Sequence, residues 1–166
     1  MYRREDFILD TAHSKLFKRS LFDTLRFPVG RRNEDAFISH LLLYPQERIA
    51  LCMGCFYGYR VNPNGIMAKP ISAESFDILE ALEERIAFYE RMGDDELAKQ
   101  SQGLLRWWHV MLVAEAHLAK KDTEVPERWR IGFAEMLREL GEHTAQQPTA
   151  SKLLAALLAR IRADKS

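Results

Sequence analysis

The sequence predicts an α+β protein in which helices predominate, with a short β-hairpin, about six helices and a C-terminal helical subdomain. Three observations support this prediction. Residues up to about Lys69 carry most of the Phe and Tyr and half of the Pro and Gly, whereas from Ser72 onward the apolar residues recur at helical spacing. Between these regions lie two short β-type runs separated by a turn signal. We therefore expect one compact unit made of residues 1–70 and a helical subdomain of residues 71–166.

The first half begins with two predicted helices. Residues 15–25 place Leu and Phe at helical spacing, and the segment Phe-Pro-Val-Gly at 27–30 ends that helix. Asn33 is a plausible N-cap for a second helix that runs to about Tyr44, and Pro45 stops it.

The predicted hairpin follows these two helices. Residues 48–53 and 56–61 have β-type composition and are joined across a Met53-Gly54 turn. The segment Asn-Pro-Asn-Gly at 62–65 predicts a loop.

The second half predicts a series of helices with recognisable starts and ends. The starting residues are Ser72, Asp94 or Asp95, and Pro126, and the ending residues are Gly93 and Gly141. A last helix over 151–162 carries leucines along one side, which must pack on this chain, on a second copy or on another protein.

Composition narrows the classes of function. The 166 residues contain 24 Lys+Arg and 24 Asp+Glu, so the formal net charge is zero and gives no overall attraction to nucleic acid. Two cysteines are too few for a disulfide scaffold. The sequence shows no signal peptide and no apolar run long enough to span a membrane. These features predict a cytoplasmic protein without a transmembrane segment.

Five sequence pieces stand in a fixed order between Ala12 and Met67. They are A-H-S-K-L-F-K-R-S-L-F, R-F-P-V-G-R-R-N-E-D-A-F, R-I-A-L, F-Y-G-Y-R-V and N-G-I-M. In this order they resemble the C-terminal part of family-2 glycosyltransferases with the GT-A fold, over about a third of the chain. That family often has Trp-Asn-Lys-Leu-Tyr-Lys-Arg, Phe-Pro-x-Gly, a Glu-Asp pair opening a helix, Tyr-x-Tyr-Arg, and Ser-Ile-Met.

The resemblance implies site residues. Asp35 corresponds to the general base, which takes the proton of the acceptor hydroxyl as that oxygen attacks a nucleotide-sugar with inversion, and Glu34 is its partner in the pair. Lys15, Tyr59 and Arg60 are the implied acceptor-binding residues. Acidic residues in a first helical turn are also ordinary helix-starting residues, so structural and catalytic roles both remain open.

The departures from the family bear on activity. The likeness begins almost at residue 1, which leaves no room for the family's nucleotide-binding domain, and no Asp-x-Asp motif is present to hold a metal on the diphosphate. The family's Trp-Asn is His13-Ser14 here, and its Ser before Ile-Met is Gly65. We therefore expect no metal site and no cofactor in this chain. Mn²⁺ or Mg²⁺ and a nucleotide-sugar would bind only with a donor half, and the chain would not be active alone.

Other candidate sites have weaker patterns. Cys52 and Cys55 have C-x-x-C spacing, but a zinc site needs a second pair of ligands, and a redox motif normally begins a helix. His109 and His117 lie eight residues apart on one predicted helix without a recognised metal motif, and buried structural histidines are the more ordinary interpretation.

Two classes of function follow. The first is a truncated or split glycosyltransferase-like protein that carries the acceptor side and contacts a glycan acceptor. The second is a non-catalytic helical protein–protein interaction module. In either class, surfaces that a donor domain would cover are expected to be exposed, which predicts a homo-oligomer, such as a dimer, or a partner chain.

Overall fold

The structure is a computed structural model that describes residues 10–52, 54, 56–58, 60, 62–65 and 69–143. Over these residues it contains four α-helices. They are α1 (Glu34–Leu43), α2 (Asp77–Met92), α3 (Asp95–Leu118) and α4 (Glu127–His143). Short 3-10 segments cover Arg19–Phe22, Ala73–Phe76 and Asp122–Glu124. The predicted last helix over 151–162 lies outside the described residues.

The predicted α+β fold with a hairpin and about six helices is wrong. No described residue lies in a strand, and the described parts of 48–53 and 56–61 have no regular secondary structure. Their apolar side chains face solvent, with Leu51 78% and Phe56 82% exposed. A two-stranded hairpin is marginal in water without a surface to cover, so alternating composition was not sufficient to form one.

The predicted first helix is also wrong. Over residues 15–25 the structure contains only the 3-10 turn Arg19–Phe22. Leu16 points fully into solvent, so its helical spacing serves no buried face. Phe17 and Phe22 instead pack edge to face, with ring centroids 5.8 Å apart.

The predicted helices over 33–44, 72–93 and 94–119 are confirmed in outline. The predicted end of the following helix at Gly141 is wrong, since α4 continues to His143. A glycine inside a helix costs only about 1 kcal/mol, so it does not by itself end one. Helix α1 stops before Pro45, and Gly93, at φ +72°, ends α2 as expected for a left-handed cap. Asp94 caps α3 by accepting the Leu97 N–H at 3.1 Å. Asn33 precedes α1 as predicted, but it adopts a left-handed conformation and makes no side-chain cap hydrogen bond.

The chain forms two compact units. The first consists of Met1–Pro70 with Asp77–Arg106, and the second of Ile71–Phe76 with Trp107–Ser166. In the first unit α1 packs on α2, and the core is formed by apolar side chains from both helices. Leu79 and Leu82 are its most buried leucines, and full burial of such a side chain contributes about 2 kcal/mol.

The second unit contains a buried histidine, His109. The His109 Nε2 lies 2.6 Å from the Trp129 carbonyl oxygen, which fits an N–H donor on that nitrogen. The rings of Trp129 and Phe133 flank the imidazole. A Cβ at Gly132 would lie 3.4 Å from His109 Cε1, so this glycine packs directly against the imidazole. His109 therefore has a structural role.

Candidate functional site

The candidate site lies in the first unit at the start of α1. Asp35 is the second residue of that helix, and its Oδ2 accepts the Ala12 N–H at 3.1 Å. This hydrogen bond joins residues 23 positions apart and holds the chain before the first turn against the helix. Asp35 stands in the first turn of α1, where backbone N–H groups have no partner within the helix.

The turn that precedes α1 is fastened to the start of α2. Asp77 is buried, and its carboxylate accepts the Arg32 backbone N–H at 2.8 Å and Arg31 Nη1 at 3.0 Å. Arg31 also pairs with Glu80 at 2.7 Å. These contacts fix the direction in which α1, and with it Asp35, leaves the turn.

Lys15 lies near the predicted base. Its Nζ donates to the Thr11 carbonyl oxygen and lies 3.4 Å from Thr11 Oγ1. Partial burial lowers the pKa of Lys15, while the charges of Asp10 and Asp35 oppose that shift. The charge of Asp35 thus acts on Lys15, and the acceptor-binding role of Lys15 stays a prediction.

For the other predicted site residues the structure shows no contact that indicates a role. Glu34 is exposed on the first turn of α1, and Arg60 is exposed on a segment without regular structure. Tyr59 lies outside the described residues. The roles proposed for Glu34, Asp35, Lys15, Tyr59 and Arg60 therefore stay predictions.

A small cavity adjoins Asp35. Its volume is about 10 Å³, enough for one water molecule at most. Its lining includes Thr11, Ala12, Phe17, Phe27 and Asp35. A sugar cannot enter this cavity, so a substrate hydroxyl would have to approach the half-exposed Asp35 from solvent.

A buried ion pair holds the segment that carries Ala12. Arg85 of α2 is only 7% exposed and binds Asp10 through both terminal nitrogens, at 2.8 Å and 3.2 Å. Its Nη2 also donates to the Ala36 carbonyl at 3.3 Å and to Ser39 Oγ at 3.1 Å. Arg85 therefore joins residues 10–12 to α1.

Sequence reasoning missed Arg85 and Asp77, although one signal was present. Arg85 follows Leu82 by three residues and Ile78 by seven, so it lies on the apolar stripe of α2. A charged residue on a buried stripe indicates a partner, because an unpaired buried charge is very costly. The identity of that partner, Asp10, was not visible because it lies 75 residues away.

His40 occupies the core beside this ion pair. It is 5% exposed, and the Phe88 and Tyr89 rings lie 5.1 Å and 6.1 Å from its imidazole. Burial, and then the charge of Arg85, lower the pKa of His40 to about 4, whereas the Ala36 carbonyl and Asp10 act in the opposite direction. Among the described residues its Nδ1 has no partner in hydrogen-bond geometry.

The low pKa of His40 predicts acid sensitivity. The unfolded chain protonates His40 near pH 6.5, while the folded protein resists protonation until about pH 4. The free energy of unfolding therefore falls by at most about 3 kcal/mol as the pH drops from 6.5 to about 4. Urea unfolding of His40→Phe and the parent between pH 7 and 4.5 measures the difference.

The matched control is His117→Ala, which removes an exposed imidazole on α3. Its effect on the acid dependence is expected to be smaller than that of His40→Phe. If the free energy of unfolding falls equally with pH in His40→Phe and in the parent, the assignment to His40 is contradicted.

The metal and redox alternatives gain no geometric support. Within the part of the chain that the structure describes, no three His, Cys, Asp or Glu side chains are grouped so as to hold a metal ion. Cys52 is an exposed free thiol, and Cys55 lies outside the described residues. His117 is exposed and lies 3.0 Å from Asp122, whereas His109 is buried against Trp129.

Comparison with known proteins gives one informative match. The chain is 27% identical over 89 residues to the glycosyltransferase GlyA of Streptococcus pneumoniae serotype 4 (strain ATCC BAA-334 / TIGR4). The match covers 54% of this chain and 13% of that relative, so the chain spans a small part of the relative's length. No family model matches the chain, and no solved structure matches it. The match supports a relationship to a glycosyltransferase.

In the described segments, no helix is both long enough and apolar enough to cross a membrane.

Proposed function

We propose that this chain is the acceptor-side part of an inverting, family-2-type glycosyltransferase and that Asp35 is its general base. The observation that carries the proposal is the Asp35 carboxylate at the start of α1, held by the Ala12 N–H and close to Lys15. The match to a glycosyltransferase supports the same class of function.

The chemistry assigned to Asp35 is proton removal. Its carboxylate takes the proton of an acceptor hydroxyl while the hydroxyl oxygen forms a bond to the anomeric carbon of the donor sugar. The bond from that carbon to the nucleoside diphosphate breaks on the opposite face, so the configuration inverts. The Ala12 N–H donates to Oδ2 and holds the carboxylate in place, and the proposal assigns the acceptor proton to Oδ1.

The donor and any metal are assigned to a separate half of the enzyme. A divalent ion neutralises a diphosphate leaving group through oxygen ligands. The described residues offer no group of side chains that fits such an ion. The family resemblance is the ground for assigning binding of Mn²⁺ or Mg²⁺ and of a nucleotide-sugar to a nucleotide-binding half that acts together with this chain.

Exposed apolar side chains favour a covering partner. In the first unit, Leu16, Val29, Leu51 and Phe56 are each at least 78% exposed. Large exposed apolar groups often mark interaction surfaces. The donor half is one candidate partner and a second copy of this chain is another. The same exposure favours the alternative function, a non-catalytic helical interaction module.

A segment exchange tests the proposed function. The 89 matched residues of GlyA are replaced by those of this chain, and release of nucleoside diphosphate is measured with a panel of nucleotide-sugars and Mn²⁺. We expect the hybrid to turn over the donor that unmodified GlyA turns over in parallel. A hybrid that unfolds cooperatively but shows no turnover would favour the interaction module instead.

A further inference from the structure

Two exposed aromatic rings stack on each other in the first unit. The His13 and Tyr57 rings lie 4.9 Å apart with an interplanar angle of only 7°. Both residues are exposed, and Tyr57 keeps 52% of its surface accessible. The two rings come from segments 44 residues apart, so the pair is a tertiary contact on the surface of the first unit.

The pair is linked to Asp35 through a single peptide unit. His13 directly follows Ala12, whose N–H donates to Asp35 Oδ2. Consecutive Cα atoms are about 3.8 Å apart, so the ring and the carboxylate are anchored within one residue of each other. The ring pair and the carboxylate are therefore held by neighbouring residues of one segment.

The turn that presents His13 is fixed by its neighbour. Ser14 adopts φ +57°, a left-handed conformation that non-glycine residues occupy at a cost of about 1 kcal/mol. Its hydroxyl donates to the His13 carbonyl at 2.7 Å and lies 3.2 Å from His13 Nδ1. Such strain concentrates at functional sites, because the surrounding structure must maintain it.

We propose that the His13–Tyr57 pair is a stacking platform for the ring of a neutral acceptor sugar, placed beside Asp35. The negative face of an aromatic ring attracts the weakly positive C–H face of a pyranose, while the sugar's hydroxyls stay in water or reach polar groups. This inference rests on the proposed function, since it assigns the acceptor side of the same site.

Saturation-transfer NMR on the full chain tests the platform. The probes are the methyl β-glycosides of glucose, galactose and N-acetylglucosamine, with uridine as a nucleobase probe and glycerol as a non-ring control. At least one glycoside is expected to receive saturation on its ring C–H protons and to shift the His13 imidazole resonances. Uridine is expected to receive less saturation than that glycoside.

Variants locate the contact. Tyr57→Ala and His13→Ala are each expected to weaken glycoside binding about five- to tenfold, as for the loss of one aromatic contact. Tyr57→Phe keeps the ring and is expected to bind like the parent. The matched control is Phe56→Ala, which removes a neighbouring ring that is 82% exposed and is expected to change nothing.

The results separate this inference from the proposed function. Absence of saturation on all three glycosides, stronger saturation of uridine, or unchanged binding in both alanine variants would overturn the platform, even if the GlyA hybrid is active. Ring-dependent glycoside binding together with an inactive, folded hybrid would leave the platform standing and overturn the transferase. Circular dichroism confirms that each variant is folded.

Discussion

Replacement of Arg85 by alanine is expected to lower the free energy of unfolding by about 3–5 kcal/mol. The guanidinium is buried and pairs with Asp10 through both terminal nitrogens, and it also donates to Ala36 and Ser39. Its removal leaves the Asp10 carboxylate, only 22% exposed, without this cation and opens space beside α1. Urea unfolding at pH 7 measures the loss.

Two further variants make this prediction specific. Arg130 is exposed and lies 3.8 Å from Glu127, so Arg130→Ala removes a surface pair and is expected to cost less than about 0.5 kcal/mol. Asp10→Asn combined with Arg85→Met is expected to be more stable than Arg85→Ala, because no unpaired charge stays in the core. A loss below about 1 kcal/mol for Arg85→Ala would contradict the role assigned to the ion pair.

The helices from Asp77 onward could be predicted because their signals are local. The apolar spacing of α2, the Asp94 cap and the left-handed Gly93 all lie within a few residues of the structure they define. The turn at 62–65 has the same local origin. Asn62 Oδ1 accepts the Asn64 N–H, and the Asn62 carbonyl accepts the Gly65 N–H.

The hairpin could not be decided locally. A strand needs a partner and a surface to cover, and neither is encoded in the alternation of residues 48–61. Ile49, Leu51 and Phe56 have β-type side chains, but the structure leaves them exposed. The sequence shows that these residues are apolar. Whether another part of the protein packs on them depends on the tertiary structure.

The candidate site shows the same division. The Glu-Asp pair at the start of a helix was recognisable, and α1 begins at Glu34 as predicted. The groups that position Asp35 were not recognisable, since Ala12, Asp77 and Arg85 reach α1 or its preceding turn from distant parts of the chain. The roles of Lys15 and Asp35 stay predictions.

The role of Asp35 is tested by Asp35→Asn, compared with Glu34→Gln, in a GlyA hybrid whose exchanged segment includes both residues. Asparagine has nearly the shape of aspartate, and its side-chain oxygen can still accept the Ala12 N–H, so the fold is expected to persist. An amide cannot take the acceptor proton, and loss of a general base lowers the rate about 10²–10⁴-fold. Glu34 is exposed, and its replacement is expected to lower the rate less than about tenfold.

Turnover is measured as release of nucleoside diphosphate, and unfolding curves are recorded for the same samples. The hybrid is expected to keep the parental stability in both variants. Its activity is expected to be lost with Asp35→Asn and largely kept with Glu34→Gln. If Asp35→Asn retains the activity of the unsubstituted hybrid, Asp35 is not the base, and the acceptor-side assignment of this chain is contradicted.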